Sequence, residues 1–196
     1  GTTVNINSGS RISYSQGYGI TDRDIQLDGQ GYFAVVHNAD MPLTVHTPHA
    51  TVSDIGTEFD LCDYADDTGA VVSVSEGCVG MSPQGSTAKP HTVNAGYTAR
   101  LDATTGSVSV ERTRGENPYQ WRTGIVKLTG QPMSEIADIL SRAYGVTIVL
   151  KGRRADRLHF NGEFNVRVCS LTDVLEALAA TNNLTYTVKG SLVEIR

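Results

Sequence analysis

The sequence predicts a mainly β protein of two units, an all-β sandwich or solenoid-like stack followed by a small α+β body. Three observations predict it. Apolar residues alternate up to Val110, helical spacing begins only after residue 130, and the polar stretch Arg112-Thr-Arg-Gly-Glu-Asn-Pro-Tyr119 separates the two patterns. A period of two gives each strand one buried face, whereas helical spacing gives one apolar stripe. The 196 residues suit two small domains, placed here at residues 1–115 and 116–196. With 39% hydrophobic and 19% charged residues the chain has enough apolar mass to fold, so disorder is not expected.

In the first unit the alternating sets begin with Val4 and Ile6, Ile12 and Tyr14, Ile25 and Leu27, and Leu43 and Val45. Thr57, Phe59 and Leu61 follow, then Val72 and Val74, Val79 and Met81, Tyr97, Ala99 and Leu101, and Val108 and Val110. Turn residues separate them: Ser8-Gly9-Ser10, Gln16-Gly17, Leu27-Asp28-Gly29, Asp67-Thr68-Gly69, Ser75-Glu76-Gly77, Asn94-Ala95-Gly96 and Thr105-Gly106. The pattern gives about a dozen short strands.

The second unit reads strand, helix, strand, strand, helix, strand, strand. Ile125–Thr129 is the first strand. Pro132 suits the first helical position, where its missing N–H costs nothing. Met133, Ile136, Ala137, Leu140 and Tyr144 then lie on one helix face, closed by Gly145. Val146–Leu150 is a β-branched strand, and Arg157–Phe164 alternates Leu158, Phe160 and Phe164. Ser170 and Asp173 form an N-terminal capping pattern for a helix that buries Leu171, Val174, Leu175 and Leu178 and ends at Asn182-Asn183. Leu184–Val188 and Leu192–Ile195 form a closing hairpin.

Charge divides along the same boundary. Residues 1–118 hold 6 Lys and Arg against 14 Asp and Glu, whereas residues 119–196 hold 10 against 7. The overall charge of −5 gives no basic face to neutralise phosphates, so nucleic acid is not an expected partner. No apolar run is long enough to span a bilayer, and no signal peptide is present; Gly1 fits a cleavage scar with the native start upstream. Cys62, Cys78 and Cys169 leave at least one thiol unpaired; a Cys62–Cys78 bridge and three unbridged thiols both remain open.

Catalytic chemistry finds little support. His46-Thr-Pro-His49 cannot bring both imidazoles to one face of a helix or strand, so no metal is expected there. Asp60, Asp63, Asp66 and Asp67 read as a solvated acidic turn, since they lack the spacing of a calcium loop. No serine-nucleophile elbow or zinc-protease motif occurs. Glu58 with Asp60 or Glu76 remains the one carboxylate pairing a β-scaffold hydrolase could use. Neither an enzymatic activity nor a cofactor is expected. Tyr14, Tyr18, Tyr32 and Tyr64 leave open a carbohydrate-binding module, provided they form one exposed platform.

Four motifs, in order, resemble the FecR family of anti-sigma regulators, in particular the Bacteroidetes type. They are Gly29-Gln-Gly-Tyr-Phe-Ala-Val35, Pro42-Leu-Thr-Val-His-Thr47, Ile55-Gly-Thr-Glu-Phe59 and Val72-Ser-Val-Ser-Glu-Gly-Cys-Val79. Gly56 before Thr57 fits a bulge or close strand approach, and Glu76-Gly77 a bulge that shifts the alternation. The C-terminal part, through Gln131-Pro-Met-Ser-Glu-Ile-Ala137, Arg142-Ala-Tyr-Gly-Val-Thr-Ile148, Phe160-Asn-Gly-Glu-Phe164 and Ser170-Leu-Thr-Asp-Val-Leu175, resembles the STN (secretin and TonB N-terminal) module. The departures, Gln30, Gly31 and Asn94-Ala-Gly96, sit at turns.

The resemblance implies a periplasmic signal receiver that binds the N-terminal signalling domain of a TonB-dependent outer-membrane transporter. It further implies an upstream membrane span and a cytoplasmic segment holding a sigma factor, neither of which lies in this sequence. On the residues themselves, the basic cluster Lys151-Gly-Arg153-Arg154 with Arg157 can steer an acidic partner, or form a solvated turn. Arg153, Arg154, Arg157, Leu158 and Phe160 are therefore the candidate partner-binding residues, although Leu158 and Phe160 fit the core equally well.

Overall fold

A computed structural model describes residues 1–54, 56–114, 118–152 and 157–196. The chain divides into two compact units, Gly1–Tyr119 and Gln120–Arg196. The boundary expected at 115/116 lies outside the described residues.

The described part of the first unit holds eleven strands. They are β1 (Thr3–Ile6), β2 (Arg11–Tyr14), β3 (Asp24–Ala34), β4 (Leu43–His46), β5 (Ala50–Asp54), β6 (Glu58–Asp63), β7 (Gly69–Glu76), β8 (Cys78–Pro83), β9 (His91–Asn94), β10 (Tyr97–Asp102) and β11 (Val108–Arg112). Two layers form, in the order β1-β3-β6-β7-β10-β11 and β2-β3-β4-β5-β8-β9, so β3 belongs to both. β7 and β10 pack over β8 and β9. One core fills the space between, built from inward residues such as Leu27, Phe33, Val45, Val52, Phe59, Leu61, Val72 and Met81. Of the two architectures the sequence left open, this is the sandwich.

Leu27-Asp28-Gly29 is not a turn. β3 runs straight through it, with Asp24–Gln26 beside β4 and Gly29–Ala34 beside β6. Gly29, at φ +119°, is the point where the strand passes from one layer to the other. A Cβ there would lie 2.7 Å from the Ser10 Cα, so a glycine permits the crossing. Glu76-Gly77 is likewise a corner between β7 and β8, which lie in opposite layers. The bulge falls one residue earlier: Glu58 pairs Glu76 and Phe59 pairs Val74, which leaves Ser75 extra, its hydroxyl donating to the Glu58 carbonyl at 2.9 Å.

The acidic turn is also corrected. Asp60 and Asp63 are buried on β6. Asp60 accepts from Gln30 Nε2 at 2.8 Å. The Asp63 carboxylate accepts the Thr47 hydroxyl at 2.5 Å and the His49 backbone N–H at 2.9 Å, and lies 2.6 Å from His49 Nδ1. It thereby clasps the β4–β5 turn of one layer to the end of β6 in the other. A buried carboxylate is tolerated when donors surround it in this way.

The second unit opens with a 3-10 turn (Gln120–Thr123) and continues β12 (Ile125–Pro132), α1 (Met133–Tyr144), β13 (Thr147–Leu150), β14 (His159–Asn165), α2 (Leu171–Asn182), β15 (Tyr186–Lys189) and β16 (Leu192–Ile195). β12 pairs β14, while β13, β16 and β15 form a second small sheet in that order. Both sheets and both helices meet in one core, through Leu128, Met133, Ile136, Leu140, Phe160, Leu175, Val193 and Ile195. Pro132 ends β12 and occupies the cap position at ψ 153°, one residue before the helix. Gly145 and Asn183 close the helices in the left-handed conformation.

Candidate functional site

Helix α2 starts on a complete capping box. The Asp173 N–H donates to the Ser170 hydroxyl at 3.2 Å, and the Ser170 N–H returns a bond to the Asp173 carboxylate at 2.8 Å. The Ser170 hydroxyl and then its backbone N–H hold the Asp173 carboxyl below the usual aspartate range. Ser170→Ala should let the Asp173 titration midpoint, followed by carboxyl-carbon NMR, rise toward the ordinary value. A midpoint unmoved by the substitution would show that the cap does not set it. The sign follows from the lowered pKa: the cap stabilises the helix above the unfolded-state pKa and is lost as pH falls through the folded-state value.

From that start, Val174, Ala177, Leu178 and Thr181 follow at i, i+3, i+4 and i+7, one stripe of the helix. The stripe faces β14 across a cleft of about 290 Å³, floored by Leu128, Phe160 and Phe164. Residues 160–164 line it consecutively, so the strand presents its main chain there and not only alternate side chains. β14 pairs β12 and no other strand among the described residues. The Val166 N–H donates to the Gly124 carbonyl at 2.9 Å, which sets the alternation of the ladder. Val126/Phe164 and Leu128/Gly162 are then the hydrogen-bonded pairs, and the main-chain groups of Asn161 and Glu163 point to the opposite edge. The Asn165 carbonyl already accepts the N–H groups of Val168 and Cys169, so the open edge ends before it. Val168, 81% exposed, stands at this end of the strand.

The candidate partner-binding residues are treated unequally. Arg153 and Arg154 lie outside the described residues. Arg157 is exposed, Leu158 is half-buried and Phe160, at 4% exposure, belongs to the core and to the floor of the cleft. Of the closing hairpin, β16 is the middle strand of its sheet, which leaves β15 as the strand with an edge. The residues sequence reasoning missed are Ala177, Thr181, Asn161 and Glu163. The helical spacing of Val174 and Leu178 is the one signal that pointed toward them.

Other candidates dissolve on inspection. Tyr32 and Tyr64 are buried, leaving Tyr14 and Tyr18 with rings 5.3 Å apart and tilted by 50°, a poor flat platform for a sugar. Glu58 accepts the Tyr32 hydroxyl at 2.5 Å, and Asp60 is engaged with Gln30. None of the three cysteines is in a disulfide. Among the described residues no group of three or more His, Cys, Asp or Glu is placed to hold a metal, and no helix is long and apolar enough to cross a membrane.

Comparison with known proteins fits this architecture. A family model described as FecR protein matches residues 1–80, and one described as FecR, C-terminal matches residues 125–195. No curated protein matches the chain. Two crystal structures of a protein assigned as an anti-sigma factor from Parabacteroides distasonis ATCC 8503, at 1.65 and 2.50 Å resolution, share the fold. The first has a TM-score of 0.81 at 23% identity, covering 100% of this chain and 90% of that one. The second has a TM-score of 0.80 at 24% identity, covering 100% and 89%. With the two family models together spanning most of both units, the chain belongs to the FecR family.

Proposed function

We propose that this chain is the periplasmic, signal-receiving part of a membrane-tethered anti-sigma regulator. Its second unit, an STN-like body, docks the N-terminal signalling domain of a TonB-dependent outer-membrane transporter. That occupancy then governs release of an extracytoplasmic-function sigma factor held by a cytoplasmic segment. The observation that carries the reading is the edge of β14 that no strand of the described residues covers, beside an apolar cleft and within the segment matched as FecR, C-terminal. Such an edge offers main-chain hydrogen bonds and a hydrophobic seat together, which suits a binding module. This chain itself catalyses nothing in that reading: its contribution is a change in partner occupancy that biases the stability or exposure of another segment.

The test is titration calorimetry of the 196-residue chain against a panel of purified transporter signalling domains from the same organism. One domain of the panel should form a one-to-one complex with a Kd of order 1 µM, worth about 8 kcal/mol. If none binds at concentrations about a hundredfold higher, the reading fails.

Charge supplies a second expectation. Reversing Arg157 together with Arg153 and Arg154 should slow association several-fold at low salt and leave dissociation nearly unchanged. The difference should close at high salt, as diffusional steering is screened. Association rates identical to the parent chain at low salt would remove the steering role.

A further inference from the structure

Resting on that docking reading, we infer that the cleft between β14 and α2 is a strand-acceptor site. Its occupant is an extended segment of a different protein, apolar at alternate positions and carrying Lys or Arg. Three features define this occupant. The first is the main chain of β14. The N–H and C=O groups of Asn161 and Glu163 point to an edge that no strand of the described residues covers, and an extended backbone is the ligand that pairs with such a row.

The second is the floor. A strand added in plane with β14 would send every other side chain toward Leu128, Phe164 and the α2 stripe. Gly162 leaves room for one of them, since a Cβ built on it meets nothing within 4 Å. Ala177, exposed and short, leaves room for the next. The third is charge. Among the described residues, the charged side chains lining the cleft are Glu163 and Asp173, both acidic. A second copy of this chain at the same edge would bring another Glu163 and Asp173 against them, like upon like. A basic residue in the guest strand complements them instead. The ladder is short, because the Asn165 carbonyl is already engaged, so side-chain choice at the two or three seated positions sets the selectivity.

The test uses an isotope-labelled chain and an acetylated, amidated probe peptide, Lys-Val-Thr-Val-Thr-Val-Lys. NMR shifts should concentrate at residues 160–164 and 174–181, and amide exchange at Asn161 and Glu163 should slow at least tenfold. A probe with Glu at both ends should bind several-fold more weakly, and one with proline at the central Val should not bind. Ala177→Arg, an exposed helix position that tolerates a long side chain, should abolish binding while leaving the melting temperature unchanged. No shift at millimolar peptide, shifts elsewhere, equal binding of the proline probe, or β14-mediated dimers of the free chain would each overturn the inference. The two readings separate cleanly. A transporter domain that binds Ala177→Arg as tightly as the parent sinks the strand-acceptor site alone, whereas a peptide that binds when no transporter domain does sinks the docking reading alone.

Discussion

Phe59→Ala should cost the first unit about 3–5 kcal/mol, a large share of the stability a domain of this size possesses. Phe59 and Phe33 are both fully buried and sit directly opposite each other on β6 and β3. Their rings stack at 5.0 Å and 12° in the middle of the core. Truncation removes the transfer free energy of the ring and leaves a void that neighbouring strands, fixed on both sides by ladder hydrogen bonds, cannot collapse to fill. Urea unfolding should show the midpoint fall sharply with an unchanged slope, and amide exchange should place the loss within residues 1–119. A Phe33/Phe59 double-mutant cycle should return a coupling of about 0.5–1.5 kcal/mol from the ring pair. A Phe59→Ala loss below about 1 kcal/mol would mean the core repacks around the gap, contrary to this account.

Gly69→Ala should be comparably severe although it adds only a methyl group. At Gly69 the opening of β7 runs against β10, and a Cβ would lie 1.8 Å from the Leu101 carbonyl oxygen. The obstacle is main chain inside a ladder, so no rotamer change relieves it. Separating the two strands there opens the β7–β10 ladder from its end at Gly69 and Asp102. A loss of about 3 kcal/mol or more is expected from enforced displacement combined with an unfavourable φ. Gly96→Ala is the control: its φ is also positive, at +80°, but its Cβ would meet nothing within 4 Å. It should cost about 1 kcal/mol from backbone strain alone. Equal losses for the two variants would show that the contact with Leu101 is not the cause.

The helices of the second unit were legible because each carries a redundant signal: apolar spacing, a start signal in Pro132 or the Ser170 cap, and Gly145 or Asn183 at the end. Period two revealed most strands of the first unit, since inward residues there are Val, Leu, Ile and Phe. β5 and β9 escaped because their inward positions depart from that rule. The third inward residue of β5 is Asp54, and β9 buries a single side chain, Val93. Gly29 misled for a physical reason, as the same left-handed freedom serves a turn and a strand crossing between layers. Asp60 and Asp63 misled because a carboxylate reads as surface until the donors that solvate it, Gln30, Thr47 and His49, are brought to it by the fold. The cleft was invisible for a different reason. Phe160 and Phe164 alternate on β14 and Val174 and Leu178 repeat on α2, but nothing in either pattern says that the two elements stand side by side with room between them.

Because one strand, β3, is common to both halves of the β body, neither half has a border of its own along which it could come apart. Prising β4 from its flank would also loosen the seat of β6, so the eleven-strand assembly should melt as one cooperative block. The β body is then the stiffer of the two units, whereas the smaller one carries, among the described residues, an uncovered strand edge beside a cavity.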